Sequence, residues 1–297
     1  MEERIDVGVP RHDVPTAGRS GFAMVGDRQV HYLEWGPSGA PTVCCLHGGG
    51  QTAYMWEELG AALRERYHVL APDLPGHGDS DPLGDAIDRV ELADTVPPLL
   101  EEFGVGRAAL VGASLGGIAS LTLTVRRPEL VAAIALIDIG HRLEDAGVER
   151  IVDFMRRHES FGSLEEAADA VREYLPQRRK VRVESLRRNL RERPDGRWEW
   201  KHQLGRRLRA AGSFNSRGGW RDLVAGMDDE ARNLTCPVLV LRGSASDVLS
   251  DEGAEEIAAL IPNARIARVG GAGHHAAGDE PETTTALVAG FLSEIDW

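Results

Sequence analysis

Apolar and polar positions alternate two by two at the start of the chain and then give way to solid apolar runs. "GFAMVGDRQVHYLEWG" (21–36) holds two short alternating segments around Gly26-Asp27, a turn pair, and predicts an antiparallel hairpin. After it, "PTVCCLHG", "YHVLAPDL", "RAALVGAS" and "VAAIALIDIG" are unbroken apolar runs of strand length, each closing on Gly, Asp or Ser. That is the pattern of parallel strands covered on both faces. Helical segments fall between them: "YMWEELGAALRERY" aligns Met55, Leu59, Ala62 and Leu63 on one face, and "SLGGIASLTLTVRRPEL" runs on until Pro128 stops it. Asp88 with Glu91 three residues on suggests a helix start, and Pro97-Pro98 inside the following apolar pattern predicts a kinked or broken helix over 88–103.

Between about 141 and 230 the strand signal stops and the chain turns helical and basic. "SLEEAADAVREYLP" carries a capping box, Ser163 with Glu166, and an apolar face of Leu164, Ala168, Val171 and Leu175. From 236 the first pattern resumes: "CPVLVLRG" and "ARIARVGG" read as strands, "DEGAEEIAALIP" and "DEPETTTALVAGFLSEI" as helices. The expected organisation is an α/β core in two parts, 1–140 and 231–297, with a helical insertion over 141–230.

A chain of 297 residues buries roughly 75% of its unfolded surface, enough for one large domain with an insertion. The net charge of −13 repels polyphosphates and argues against nucleic acid as a partner. No stretch approaches 18 uninterrupted apolar residues and the first residues lack a signal-type apolar core, so no membrane span is expected and the cytoplasm is the expected location. The three cysteines read as buried thiols, Cys44 and Cys45 pointing to opposite faces of one strand. The histidines follow no zinc-like spacing, and neither metal nor cofactor is expected.

The chemistry concentrates at strand ends. "GASLG" (112–116) is a G-x-S-x-G match between a predicted strand and a predicted helix, the setting in which a sharp turn lifts a serine hydroxyl above the sheet. Such a serine needs a base, a group that orients the base, and donors for the developing oxyanion. His274, in "GGAGHHAAGDEPE" after the last predicted strand, is the candidate base, separated from His275 only by loop register. Asp247, after the penultimate strand in "LVLRGSASDVLS", is the candidate acid in the order Ser…Asp…His. Asp138, ending "AIALID", is its serious rival, and Asp251 reads as a helix-start residue. The backbone N–H of Leu115, following Ser114, and that of Gly49 in "LHGGGQT" are the candidate oxyanion donors; glycine allows the close approach.

In this order "HGGG", "DLPGHGDS", "GASLGG", "RGSASD" and "GAGHH" resemble the α/β-hydrolase superfamily, specifically its cap-bearing branch, over residues 22–297. The resemblance implies a mostly parallel eight-stranded sheet flanked by helices, a helical cap after the sixth strand, Ser114 as nucleophile, Asp247 as acid and His274 as base. It also implies a structural role for "DLPGHGDS", His77 included. "HGGG" is similar to lipases and esterases, whereas the mid-chain cap and the Leu after the serine resemble epoxide-hydrolase-like and C–C-hydrolase-like members. A serine nucleophile argues against epoxide hydrolase and dehalogenase reactions, which use aspartate.

The expected reaction is acyl transfer to water from a small-molecule ester, lactone or related acyl compound. C–C bond hydrolysis, acyl transfer to another acceptor, perhydrolysis and a lyase reaction use the same residues, and a ligand-binding receptor is the non-enzymatic alternative. Met55, Trp56, Trp198, Trp200, Phe214 and Trp220 are candidate pocket walls, although the cap aromatics equally suit the cap's own core. Residues 172–209 hold 14 Lys/Arg against 5 Asp/Glu, leaving −22 for the rest. Such a segment attracts an anionic substrate, docks on the acidic core, or is a solvated helix face.

Overall fold

The computed structural model describes residues 14–84, 87–176, 178, 181–205 and 219–297. Strands β1 (Arg19–Val25) and β2 (Arg28–Trp35) form the expected hairpin about Gly26-Asp27, with Gly26 at φ 64°. β3 (Thr42–Leu46), α1 (Glu57–Leu63), β4 (His68–Pro72), α2 (Arg89–Ala93), α3 (Val96–Glu102), β5 (Ala108–Ala113), α4 (Leu115–Arg126) and β6 (Val131–Ile137) follow. The insertion contributes α5 (Asp145–Arg157), β7 (Ser160–Phe161), α6 (Leu164–Tyr174), α7 (Val183–Leu186), β8 (Leu190–Glu192), β9 (Trp198–Trp200), α8 (Trp220–Val224) and α9 (Met227–Arg232). β10 (Val238–Gly243), α10 (Asp251–Leu260), β11 (Ala264–Val269), α11 (Ala276–Asp279) and α12 (Pro281–Leu292) complete the chain.

The eight strands lie in the order β1-β2-β4-β3-β5-β6-β10-β11. β1 and β2 are antiparallel to each other and β2 to β4; every pairing from β4 to β11 is parallel. After β3 the chain moves to one side to form β4 and then crosses back to form β5. Helices α1 and α4 consequently cover opposite faces, and a crevice opens above the ends of β3 and β5, where open α/β sheets bind their ligands.

Two apolar layers sandwich the sheet. One packs Leu46, Leu70, Leu110, Ile134 and Val240 against α2 and α4; the other packs Trp35, Val43, Val69, Val111 and Leu241 against α1 and α12. Cys44 faces the first layer and Cys45 the second, as period-2 geometry demands, and both are fully buried thiols. Around Pro97-Pro98 the chain makes two helices: Asp88 caps α2 by accepting the Val90 N–H at 2.7 Å, and the prolines take the first turn of α3, where no N–H is needed.

The insertion differs from the all-helical expectation. Ser163 caps α6 as its box predicts, at 3.2 Å from the Glu166 N–H, but β7, β9 and β8 form a three-stranded sheet. Its strands are two or three residues long, too short for an alternating pattern to register. The Val224, Met227 and Ala231 side chains already pack into the α4 layer. No helix among the described residues is long and apolar enough to cross a membrane.

The "DLPGHGDS" loop anchors the insertion to the core. Asp73, fully buried, accepts the Ala53 N–H at 2.7 Å, the Asp79 N–H at 3.0 Å and His31 Nδ1 at 2.7 Å. Burial alone would raise its pKa, but the His31 hydrogen bond and the other donors hold it below the ordinary value. Gly78 has φ 55°, and a Cβ there would lie 1.9 Å from Asp73 Oδ2, so only glycine fits. Beyond it, the Gly78 N–H donates to Lys201 O at 2.6 Å, the Gln203 N–H donates to Gly76 O at 3.0 Å, and Lys201 Nζ pairs with Asp79 at 2.8 Å.

Inside that junction His77 and His202 lie 6.2 Å apart by ring centroid. Burial pushes His202 down to about 4 and His77 well below its ordinary value, so both are neutral at pH 7. An unfolded-chain imidazole titrates near 6.5. Between about pH 6.5 and 4 the unfolded chain therefore binds protons that the native state refuses, and stability falls as pH falls through that window. The urea midpoint is expected to drop between pH 7.5 and pH 5, and His202→Gln is expected to reduce the drop measurably. An unchanged drop in that variant would assign the effect to other groups.

Candidate active site

Ser114 is the single residue between β5 and α4, at φ 47°, ψ −114°. This conformation costs an L-residue about 1–3 kcal/mol. It is held in place because the Ser114 N–H donates to Ile137 O at 3.0 Å and Ser114 O accepts the Ile118 N–H at 3.0 Å. The flanking glycines allow the layers to close: a Cβ on Gly112 would lie 2.4 Å from Gly116 O, and one on Gly116 would lie 2.1 Å from Leu46 O. The turn lifts the hydroxyl to the crevice and leaves the Leu115 N–H at the start of a 12-residue helix, where backbone donors and the helix dipole favour negative charge.

His274 reaches Ser114 from the loop after β11. Its Nε2 lies 3.1 Å from Ser114 Oγ, and its Nδ1 lies 2.7 Å from Asp138 Oδ2. Two features hold the loop. A Cβ on Gly243 would lie 2.1 Å from Gly273 O, so the end of β10 must be bare for the loop to cross it. Asp279, on α11, accepts the Gly273 N–H at 3.0 Å. His275, the other candidate in register, does not bond Ser114: its ring stands edge-on to Tyr174 at 6.0 Å, and burial, then His274 and the Arg178 and Arg150 cations, push it well below its ordinary pKa.

The carboxylate that meets His274 is Asp138 and not Asp247, the residue expected there from the order along the chain. Asp138, fully buried at the end of β6, also accepts the Gly243 N–H at 3.0 Å and the Ser246 hydroxyl at 2.5 Å. An ionised carboxylate only accepts, so His274 Nδ1 carries the proton and Nε2 is free to accept from Ser114. Asp138 adopts φ 52°, which turns its side chain towards the end of β10. Asp247 instead points outwards and pairs with Arg150 of α5 at 2.8 Å, with 37% of its side chain exposed. Ser246, next to it, makes the contact inside the site and also accepts the Val248 and Leu249 N–H groups. Ser246 is not legible in the sequence, because a serine in a loop carries no periodic signal.

The glycine loop after β3 lies beside the serine: a Cβ on Gly48 would sit 3.5 Å from Ser114 Cβ. The Gly48 N–H donates to Gln51 Oε1 at 3.2 Å, so this donor is engaged within the loop, and Gly49 is the next residue. His47 accepts the Leu74 N–H on Nε2 at 2.9 Å and donates from Nδ1 to Gly48 O at 2.9 Å. Burial lowers its pKa, in keeping with that neutral tautomer. Among the described residues, His31, Asp73 and Asp79 bring His and carboxylate atoms together, but His31 Nδ1 and Asp73 Oδ2 already bond each other.

A cavity of about 700 Å³ lies over Ser114 and His274, between the sheet edge and the insertion. Met55, Trp200 and Trp220 line it. Trp56 does not: it is 1% exposed in the α1 layer, because the chain runs through a 3₁₀ turn at Ala53–Trp56 and that residue faces inwards. Trp198 packs on the insertion's own core under the Arg187 guanidinium, 5.6 Å from its ring centre. Phe214 lies outside the described residues. Three members of the basic segment cross to core acids: Arg178 to Asp279 at 3.1 Å, Lys201 to Asp79 at 2.8 Å, and Arg188 to Glu57. These pairs dock the insertion on the acidic core.

The profile of the alpha/beta hydrolase fold matches residues 41–281. The chain is 32% identical over 275 residues to the esterase Rv0045c of Mycobacterium tuberculosis, covering 89% of this chain and 86% of that protein. It is 27% identical over 255 residues to a 2-(acetamidomethylene)succinate hydrolase of Mesorhizobium japonicum, covering 85% and 88%. A crystal structure of E-2-(acetamidomethylene)succinate hydrolase superposes with a TM-score of 0.80 over 93% of this chain and 99% of that one; at 23% identity this is a likeness of fold. By sequence and by architecture, the chain belongs to the α/β-hydrolase fold family and is a hydrolytic enzyme.

Proposed function

We propose that this hydrolase cleaves carboxylic esters of small molecules through an acyl-enzyme on Ser114. The observation that carries the reading is the continuous line from Ser114 Oγ to His274 Nε2 at 3.1 Å and from His274 Nδ1 to Asp138 at 2.7 Å. The esterase among its relatives supports the choice of bond. Ser114 Oγ attacks the ester carbon while His274 Nε2 takes the hydroxyl proton, and the carbonyl oxygen becomes an oxyanion facing the Gly49 and Leu115 N–H groups. Collapse returns that proton to the leaving alcohol. Water then attacks the acyl-enzyme with His274 again as base, releasing the acid and restoring Ser114. Asp138 stays ionised and holds the imidazole in the tautomer that both steps require.

A fluorophosphonate is expected to modify Ser114 and no other serine, as located by peptide mass spectrometry, with labelling abolished in Ser114→Ala and slowed in His274→Ala. A folded protein left unlabelled by a reagent that enters the cavity would remove the acyl-enzyme mechanism. The choice between acids has its own test. Asp138→Asn is expected to lower kcat on p-nitrophenyl butyrate by roughly 10⁴-fold, and Asp247→Asn, which breaks a half-exposed ion pair, by only a few fold. Equal losses would return Asp247 to the site.

A further inference from the structure

The loop that carries His274 is fixed in two stages. The Gly271 N–H donates to Ser244 Oγ at 2.8 Å and Ala272 O accepts the Ala245 N–H at 2.8 Å, which ties the first part of the loop to the residues after β10. The next hold differs in kind: the Gly273 N–H donates to a side chain, Asp279 Oδ2, at 3.0 Å. That carboxylate closes the turn from Gly273 to the end of α11 at the peptide immediately before His274. A shift of Asp279 therefore moves the imidazole.

Asp279 is itself placed from the insertion. Its side chain is 1% exposed, and its Oδ1 accepts Arg178 Nε at 3.1 Å from 101 residues earlier in the chain. The turn after α6 carries Arg178 there: Leu175 is buried in the insertion's own core, and the Arg178 N–H donates to Leu175 O at 3.0 Å. On the core side the seat is bare backbone. A Cβ on Gly278 would lie 2.4 Å from Arg178 Nη2, so a side chain there would displace the guanidinium. A buried carboxylate deprived of the cation that bonds it takes up a proton or draws in water, and its oxygens leave their positions. Lys201 makes a useful contrast, because it docks the same insertion on Asp79 at 2.8 Å without touching the histidine loop.

We propose, on the reading of Ser114 as nucleophile and His274 as its base, that Arg178 is a positioning residue for that base. Acting through Asp279, it sets the loop so that His274 Nε2 meets Ser114 when the insertion lies docked over the cavity. Arg178 exchanges no proton. Closure of the insertion and assembly of the site are then one event, made through a single buried ion pair. Arg178 also lines the cavity, and a role in holding substrate differs from positioning in being carried by KM.

The test compares Arg178→Ala, Arg178→Lys and Lys201→Ala in the full-length enzyme, with p-nitrophenyl butyrate turnover and the rate of fluorophosphonate labelling of Ser114 as readouts. Arg178→Ala is expected to lower kcat by about 10²-fold, the cost of an ångström-scale misplacement of a reacting group, with KM nearly unchanged. Arg178→Lys keeps a cation on Asp279 but loses the planar donor; it is expected to restore part of the loss, and it keeps the proposal testable if the alanine variant does not fold. Lys201→Ala is expected to leave kcat close to that of the wild type. In a His274→Ala background, where labelling is already slow, adding Arg178→Ala is expected to slow it no further, because both changes act on the same group. Further slowing there, a loss carried by KM, an unmoved kcat, or equal losses in Arg178→Ala and Lys201→Ala would overturn the proposal. In each of these cases Ser114 of the wild type still labels, whereas a wild type that does not label marks failure of the underlying ester-hydrolase reading.

Discussion

The contact between the end of β5 and the first turn of α4 is the constraint on which the site depends. Gly112 and Gly116 meet there with no room for a Cβ on either, and Gly116 presses on Leu46 O at the end of β3. That closeness keeps Ser114 at φ 47° and sets the α4 N-terminus beside the glycine loop that follows β3. The proposed nucleophile and the N–H groups proposed to receive the oxyanion thus share one packing event. The local strain is about 1–3 kcal/mol, small beside the burial gained by ten consecutive buried residues of α4, Leu115 to Thr124.

The second half of the site arises from a different device. β6, β10 and β11 are adjacent parallel strands, and each delivers one element at its carboxyl end: Asp138, the pair Gly243 and Ser246, and His274. Asp138 is fully buried, a costly position for a carboxylate without partners. Three donors satisfy it, and one of them is the imidazole it orients. Gly243 serves twice, by donating its N–H and by lacking the side chain that would block the histidine loop.

The insertion is joined to this core by polar contacts as well as by apolar packing, of Val224 and Met227 on the α4 layer and of Val148 and Val152 on Val248. Backbone bonds at Gly76 and Gly78 and ion pairs from Arg178, Arg188 and Lys201 hold it, with the neutral imidazoles of His77 and His202 packed among them. Asp279 binds both the Gly273 N–H of the histidine loop and Arg178, so the insertion and that loop share one carboxylate. The basic surplus of the segment is thereby partly spent on docking.

Much of this was legible from sequence because it depends on local pattern. Apolar runs closed by Gly, Asp or Ser identified the sheet strands, the Gly26-Asp27 pair the hairpin, the paired prolines the broken helix, and the glycine-fenced serine the sharp turn. The choice of acid was not local. Asp138 and Asp247 each follow a buried strand, on neighbours β6 and β10, and either could stand near the histidine. Only the tertiary structure decides between them: a left-handed backbone at Asp138 turns that carboxylate inwards, and Arg150, about 100 residues earlier in the chain than Asp247, draws the other outwards. The same holds for Trp56, placed in the core by a 3₁₀ turn, and for the short strands of the insertion, which exist by pairing with one another. Sequence determines what each segment does with its own neighbours; which side chains then meet across the sheet is set by backbone direction and by partners distant in the chain.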